Sequence, residues 1–353
     1  MPLQISQLLA AATGSPNVSV MVSKDTARTD SFCKKDSALA LPEGLKVTPW
    51  AHQLRAYSTL LPVLRKQGGC LLAAEMGVGK TLIATMLALG LGSRRTLIAC
   101  PLRVISSWRS QLTDYLEGDY LITTLDDSMS VAKRVGKLRD DVALAEVKGI
   151  PHWVVINYDS YWREAMAEAL LTIEFGTVIY DESHKLKSPG AKASNFAKRL
   201  LRNTKHRILA TGTPLAHSPL DAFAQVRAAV PGLLGTSYVQ FKNRYATWGG
   251  PNRRIRTGYQ NIPELESRLA PVTWRATKEE VLPDLPEALP PVIYECELGS
   301  EGAKAYRDME RDMIVRVQSG ELTAKNILDK LTKLCQITSG YLPETETTPG
   351  IRI

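Results

Sequence analysis

No apolar run in these 353 residues approaches the roughly 20 residues that a membrane-crossing helix needs, so no membrane role is expected. The first residues carry Leu8-Leu9-Ala10-Ala11-Ala12 with no basic residue ahead of them, which argues against a secretory leader. Cysteine is scarce and odd in number: Cys33, Cys70, Cys100, Cys296 and Cys335, none in a C-x-x-C pair. That pattern argues against a zinc site or a disulfide framework, and for a reducing compartment. Internal repeats and low-complexity tracts are missing too. Acidic residues are absent from two stretches, 183–207 and 240–256.

What is present is a chain with 44% apolar and 23% charged residues, enough for a sizeable core and unlike a low-hydrophobicity disordered chain. Its formal net charge of +8 suits an anionic partner without identifying one. Residues 1–45 are rich in Ser, Thr, Ala and Asp and read as a poorly ordered arm, with one short helix near residues 5–12. From Thr48 short apolar runs alternate with longer amphipathic ones: 70–74 then 80–91, 96–100 then 102–116, 153–157 then 160–171, 177–180 then 191–201, and 207–210 then 219–230. Over residues 46–231 this rhythm predicts an α/β fold, a parallel sheet with helices on both faces. Right-handed crossovers then line up the strand C-termini on one edge, where ligands gather. Cys70 and Cys100 fall in the apolar runs, as small hydrophobes. After Pro231 the rhythm stops. Residues 238–261 are aromatic, basic and Gly-containing, and read as an irregular insertion or hairpin; 262–269, 303–317 and 326–335 read as helices.

Ala74-Glu75-Met76-Gly77-Val78-Gly79-Lys80-Thr81 follows an apolar strand and opens a helix, the context a phosphate-binding loop requires. Its glycines let backbone N–H groups turn toward phosphate oxygens, and the helix N-terminus adds a favourable partial charge. Lys80 supplies a cation for the β- and γ-phosphates, and Thr81 a hydroxyl for Mg²⁺. Ala74 stands where the full G-x-x-x-x-G-K-[ST] pattern has its first glycine. Val178-Ile179-Tyr180-Asp181-Glu182-Ser183-His184 delivers two carboxylates to a strand end. Asp181 is suited to hold hydrated Mg²⁺, and Glu182 to orient and deprotonate a water. Alone, such a pair would also fit a solvated turn; beside a phosphate loop the two motifs supply complementary halves of one reaction. Ala210-Thr211-Gly212-Thr213-Pro214-Leu215 also follows an apolar strand, and its hydroxyls could report nucleotide state; alone it would pass for an ordinary turn.

Together these segments resemble a superfamily 2 helicase-like ATPase of the Swi/Snf type. Glu75 to Thr81 matches motif I, Cys100-Pro101-Leu102 with Trp108 matches motif Ia, Asp181-Glu182-Ser183-His184 with Lys187 matches motif II, and Thr211 to Leu215 matches motif III. The order and spacing agree over residues 48–286. Phe241, Arg244-Tyr245, Gly258, Asn261, Glu264-Leu265, Leu269, Arg275, Lys278, Val281-Leu282 and Leu285-Pro286 further resemble the annealing-helicase branch, whose members act on forked or partly single-stranded DNA. The resemblance implies a RecA-like P-loop lobe over residues 46–231, an insertion and lobe connector over 232–290, and an incomplete start of a second lobe over 291–353. It implies ATP and Mg²⁺ as cofactors, held by Met76, Gly77, Val78, Gly79, Lys80 and Thr81 with Gln53 reading adenine, and metal contacts from Thr81 and Asp181. Lys80, Asp181 and Glu182 would be catalytic, and His184, Thr211, Gly212 and Thr213 would couple nucleotide state to movement. DNA-stimulated ATP hydrolysis in a bacterial or phage-like intracellular setting, cytoplasmic or nucleoid-associated, is the activity implied.

DNA, duplex, forked or partly single-stranded, is the implied partner. Arg103 and Ser107 follow the second strand and Asn157 ends the next, where the family approaches the DNA backbone; Lys187 follows motif II. Residues 183–207 carry Lys185, Lys187, Lys192, Lys198, Arg199, Arg202, Lys205 and Arg207, equally readable as a solvated helix face. Residues 240–256 carry Lys242, Arg244, Arg253, Arg254 and Arg256 among Phe241, Tyr245 and Trp248; the Gly249-Gly250-Pro251-Asn252 turn would project the last three arginines, and a local core with basic flanks would read the same. Departures are Ala74 for the family's usual acidic residue, Ser183 for Ala or Gly, and Ser188 for Asn. Second-lobe motifs, with their arginine finger, find no match in these residues, although 331–335 resembles part of the helix that opens that lobe. A second lobe in cis or in trans is therefore expected, and weak hydrolysis by this chain alone. Two other readings stay open: a nucleotide-gated DNA-binding module without turnover, and an RNA helicase of the same superfamily.

Overall fold

The computed structural model describes residues 40–215, 218–250, 255–284, 286, 292–312, 314–317, 320–323, 327–342 and 351–352. The short helix expected near residues 5–12, and Arg253 and Arg254, lie outside the described residues. The chain forms two compact units, residues 1–285 and 286–353.

The first unit is built on a seven-stranded sheet in the order β3-β4-β2-β5-β6-β1-β9, all pairs parallel. Its strands are β1 (Gly69–Ala74), β2 (Arg95–Cys100), β3 (Leu121–Leu125), β4 (His152–Asn157), β5 (Phe175–Asp181), β6 (Thr204–Thr211) and β9 (Thr273–Ala276). Both faces are covered, so inner strands read as unbroken apolar runs rather than alternating ones; every residue of β1 and β4 is buried. Successive side chains still divide between two cores. From β1, Leu71 and Ala73 join one core with Leu170, Phe196 and Val226, while Cys70, Leu72 and Ala74 join the other with Leu60, Ile83 and Leu112.

The helices that form those layers are α1 (Ala51–Gln67), α2 (Lys80–Gly90), α3 (Ile105–Tyr115), α4 (Val131–Lys148), α5 (Glu164–Leu171), α6 (Lys192–Leu200) and α7 (Ala222–Ala229). The strands and helices expected from the apolar rhythm fall within a few residues of those found. Residues 117–151, left unassigned by the rhythm, hold β3 and α4. Both elements carry a weak pattern: β3 is a half-buried edge strand with two threonines, and α4 buries only Arg134, Leu138 and Ala145.

After Pro231 the chain forms α8 (Tyr238–Tyr245), an antiparallel hairpin of β7 (Ala246–Gly249) and β8 (Ile255–Tyr259), and α9 (Ile262–Leu269). Phe241, Tyr245, Leu265 and Leu269 bury this excursion against the main core, and Glu264 pairs with both Arg244 and Arg268. The chain then returns to the sheet: β9 pairs with β1, a seventh strand that four residues, Thr-Trp-Arg-Ala, gave no cue for. In the second unit, α10 (Ser300–Asp312) packs with α11 (Ile327–Thr338) and with the hairpin of β10 (Ile314–Val317) and β11 (Gly320–Thr323). The helix expected over 303–317 therefore stops at Asp312; the β-branched Ile314, Val315 and Val317 pair as a strand instead. Among the described residues no helix is long and apolar enough to cross a membrane.

Candidate nucleotide site

The parallel sheet brings the separate motifs to one edge. Ala73 is in register with Thr211, Ala74 with Ala276, and Asp181 with Ala210, so the loops after β1, β5, β6 and β9 lie side by side. The loop after β1 turns through Gly77 (φ 88°) and Gly79 (φ 87°) before α2 begins at Lys80. Gly79 is required twice over: its φ disfavours any side chain, and a Cβ there would sit 2.2 Å from Gln53 Nε2. Val78 is fully buried, Met76 is 70% exposed and Thr81 is half-buried at the first turn of α2.

Lys80 Nζ donates to the Ala74 carbonyl (2.9 Å) and the Glu75 carbonyl (3.2 Å), folding its ammonium over the loop. Burial holds that ammonium below its usual pKa, opposed by the carboxylates of Glu182, Asp181 and Glu75. His52 Nε2 lies 2.9 Å from the Val78 carbonyl, and Gln53 Nε2 lies 3.5 Å from it, while Gln53 Oε1 accepts from the Trp50 amide at 2.8 Å. Gln53 thus braces the loop from the start of α1.

The Asp181 carboxylate is fixed at both oxygens. Trp108 Nε1 donates to Oδ2 at 2.8 Å and the Glu182 amide to Oδ1 at 3.0 Å, while the Tyr158 hydroxyl holds the Asp181 carbonyl at 2.8 Å. Burial pushes its carboxyl above the usual range, the indole hydrogen bond pulls it down, and neighbouring Glu182 pushes it up. Glu182 takes a left-handed backbone (φ 49°, ψ 52°), one of two non-glycine residues with positive φ among those described. Such a residue is strained by about 1–2 kcal/mol, which the surrounding contacts must offset. Its carboxylate lies 3.2 Å from His184 Nδ1, which also lies 3.3 Å from the Thr211 hydroxyl. Thr211 Oγ1 accepts from the Thr213 amide at 3.1 Å, and a Cβ on Gly212 would lie in ordinary contact with the Ala74 carbonyl and the Met76 amide.

The residues expected to face DNA separate into three groups. Arg103 and Ser107 are exposed, Lys187 is half-buried, and Arg256 is exposed with its guanidinium 5.0 Å over the Tyr259 ring. Asn157 is 1% exposed: its Oδ1 caps the following turn at the Ser160 amide and its Nδ2 donates to Asp127. In this arrangement Asn157 supports the turn and presents no free amide outward. Arg207, counted in the basic stretch, is also buried, donating to the carbonyls of Ala229, Thr204 and Lys205.

Three supporting roles escaped the sequence reading. Trp108, matched in the sequence only to motif Ia, holds Asp181. Lys278, in the turn after β9, gives its amide to Glu75 Oε2 at 2.7 Å, and its Cε would lie 3.1 Å from a Cβ on Gly77. Gln225 on α7 is 2% exposed; a lone amide in the apolar run Ala222-Phe223-Ala224-Gln225-Val226 was the available signal.

Comparisons with known proteins agree on one family. The SNF2-related domain matches residues 25–340. The human DNA excision repair protein ERCC-6 is 26% identical over 331 residues, covering 87% of this chain and 21% of that protein. The mouse DNA annealing helicase and endonuclease ZRANB3 is 29% identical over 231 residues, covering 63% of this chain and 20% of that protein. Among solved structures, the Sulfolobus solfataricus SWI2/SNF2 ATPase core in complex with dsDNA superposes with a TM-score of 0.56 at 24% identity, covering 85% of this chain and 60% of that one. The chain thus spans about a fifth of the length of these two relatives.

Proposed function

Because this chain belongs to the SNF2-related family, we propose that it is the ATP-binding lobe of an ATP-dependent DNA translocase or remodeller. The observation that carries the reading is the meeting, on one sheet edge, of a glycine-turned cationic loop and an adjacent pair of carboxylates. The residues present fit Mg²⁺-ATP. The backbone of Gly77 to Thr81 forms a cradle with no side chain on its glycines, Lys80 now rests its ammonium on carbonyl oxygens that phosphate oxygens can replace, and Asp181 is a half-buried carboxylate that a cation would stabilise. Thr81 and Asp181 would hold the metal, which when bound neutralises charge on the phosphates.

Lys80 places a positive charge against the β- and γ-phosphates. Trp108 and the Glu182 amide hold Asp181 in one orientation. Glu182 orients a water and accepts its proton, and its left-handed backbone turns it away from the strand direction next to His184. His184 and Thr211 then link this carboxylate to the loop at 211–215. A second lobe in cis or in trans supplies the arginine finger, typically worth about 10³–10⁵ in rate, so this chain alone turns over slowly. Arg103, Ser107, Lys187, Arg253, Arg254 and Arg256 are the proposed phosphate-backbone contacts, and a forked or partly single-stranded duplex is the proposed substrate. An intracellular, nucleoid-associated or cytoplasmic setting completes the reading.

The test is ATP turnover, with the second lobe supplied, in the presence of forked DNA, duplex DNA, single-stranded RNA or no nucleic acid. Stimulation by DNA well above RNA is expected. Equal stimulation by RNA would move the protein to the RNA helicases, and no turnover with any of them would favour a binding module.

A further inference from the structure

Ser183 is the position where this chain departs from the small apolar residue usual after the paired acids, and the structure gives that hydroxyl a partner. Ser183 is fully buried and donates to Gln225 Oε1 at 2.9 Å. Gln225 Nε2 then donates to the Pro214 carbonyl at 2.7 Å and to the Asp221 carbonyl at 2.9 Å. The amide orientation is fixed by its partners: two carbonyls demand the NH₂ end, which leaves Oε1 for the hydroxyl. The Ser183–Gln225 bond is buried, beside an α7 whose Ala222, Phe223, Ala224, Val226, Ala228 and Ala229 are also buried, so a partner lost at that end is left unpaired, while the Pro214 end is half-buried.

The chain Ser183–Gln225–Pro214 joins two loops of the nucleotide site through a third element. One end is the residue next to strained Glu182; the other is in the 211–215 loop, whose Gly212 lies against the phosphate loop. It runs beside the direct contact from His184 to Thr211, so adjacent residues 183 and 184 reach the same loop by separate routes. We propose that Gln225 is a positioning residue that transmits the state of the Asp181–Glu182 loop to the 211–215 loop, with Ser183 as its obligatory partner. The proposal rests on the ATP-site reading above.

Amide hydrogen exchange of the 353-residue chain, with and without Mg²⁺ and a non-hydrolysable ATP analogue, tests it. In the wild type, nucleotide is expected to slow exchange at 76–81 and to change exchange at 211–215. In Gln225→Leu the response at 76–81 should persist and the response at 211–215 should be lost. Ser183→Ala, a smaller change that guards against a failure to fold, should lose the same response. The double variant should be no worse than either single one, because both cut a single link. A 211–215 response of wild-type size in both single variants, with 76–81 still responding, overturns the relay alone. No response at 76–81 in the wild type overturns the ATP-site reading and the relay with it.

Discussion

Two regions of the first unit hold their charged groups differently. At the sheet edge the site residues are held by fixed partners: Lys80 on two carbonyls, Asp181 at both oxygens, Gln225 at both ends of its amide. In the excursion formed by α8, the β7–β8 hairpin and α9, Glu264 pairs with Arg244 and Arg268, while Lys242 and Arg256 lean on aromatic rings. Lys242 Nζ lies 4.6 Å over Trp248, and Arg256 lies 5.0 Å over Tyr259. The first arrangement is preorganised, as charge stabilisation at a reacting phosphate requires. The second leaves Lys242 and Arg256 without a carboxylate partner among the described residues, which suits the proposed contact with a flexible polyanion, where register matters less than charge.

The sharpest way to break this comparison is at Glu182. Glu182→Gln keeps the shape and removes the proposed base, so nucleotide binding should survive while turnover with the second lobe supplied falls by about 10²–10⁴. Near-wild-type turnover would remove Glu182 from the base role.

A second interior contrast lies away from the site, at His152 on β4. It is 1% exposed, and Thr123 Oγ1 lies 2.7 Å from its Nε2 while donating to Asp141 Oδ2 at 2.6 Å. The ring is therefore the neutral Nε2–H form, with Nδ1 unpartnered among the described residues. Burial lowers its pKa from 6.5 to about 4, with Asp141 opposing. The unfolded imidazole takes up a proton below 6.5 and the folded one does not until about 4, so stability is full above that window and is lost as pH falls through it. Between pH 7 and pH 5 the loss should be about 2 kcal/mol, read by urea unfolding, and His152→Gln should flatten it. An unchanged pH slope in that variant would assign the effect to another group.

Trp108→Phe retains the packing and deletes the indole N–H that holds Asp181. Partners that orient a metal-binding carboxylate are typically worth about tenfold or more in metal affinity, so the Mg²⁺ concentration needed for ATP binding should rise by about tenfold. If the Mg²⁺ requirement does not move, the hydrogen bond is incidental to packing.

The smallest effect belongs to the arginines of residues 253–256. Replacing Arg253, Arg254 and Arg256 with Ala should weaken DNA binding and flatten its salt dependence by up to about 0.9 log–log units per lost phosphate contact, leaving ATP affinity untouched. Unchanged affinity and slope would assign the DNA contacts elsewhere, most directly to the 183–207 stretch.

These expectations also show why the candidate site was legible in the sequence and its supports were not. A phosphate cradle needs glycines, a lysine and a hydroxyl at set spacing on one turn, so residues 74–81 disclose it locally. Asp181-Glu182 and Thr211 to Pro214 are equally local, and a parallel sheet was enough to bring them to one edge. The partners that hold them are far off in sequence: Trp108 lies 73 residues from Asp181, and Gln225 lies 42 from Ser183. β9 was hidden for the same reason, a four-residue strand whose place is set by β1. Asn157 misled because a buried cap and an exposed contact use the same amide.

Calorimetric titration of the 353-residue chain with Mg²⁺-ATP, wild type against Lys80→Ala, tests the central claim most directly. Lys80→Ala removes the cation that donates to the Ala74 and Glu75 carbonyls, and affinity should fall by at least about tenfold, roughly 1.4 kcal/mol or more, with the fold intact. A folded Lys80→Ala variant that binds Mg²⁺-ATP as tightly as the wild type would contradict it.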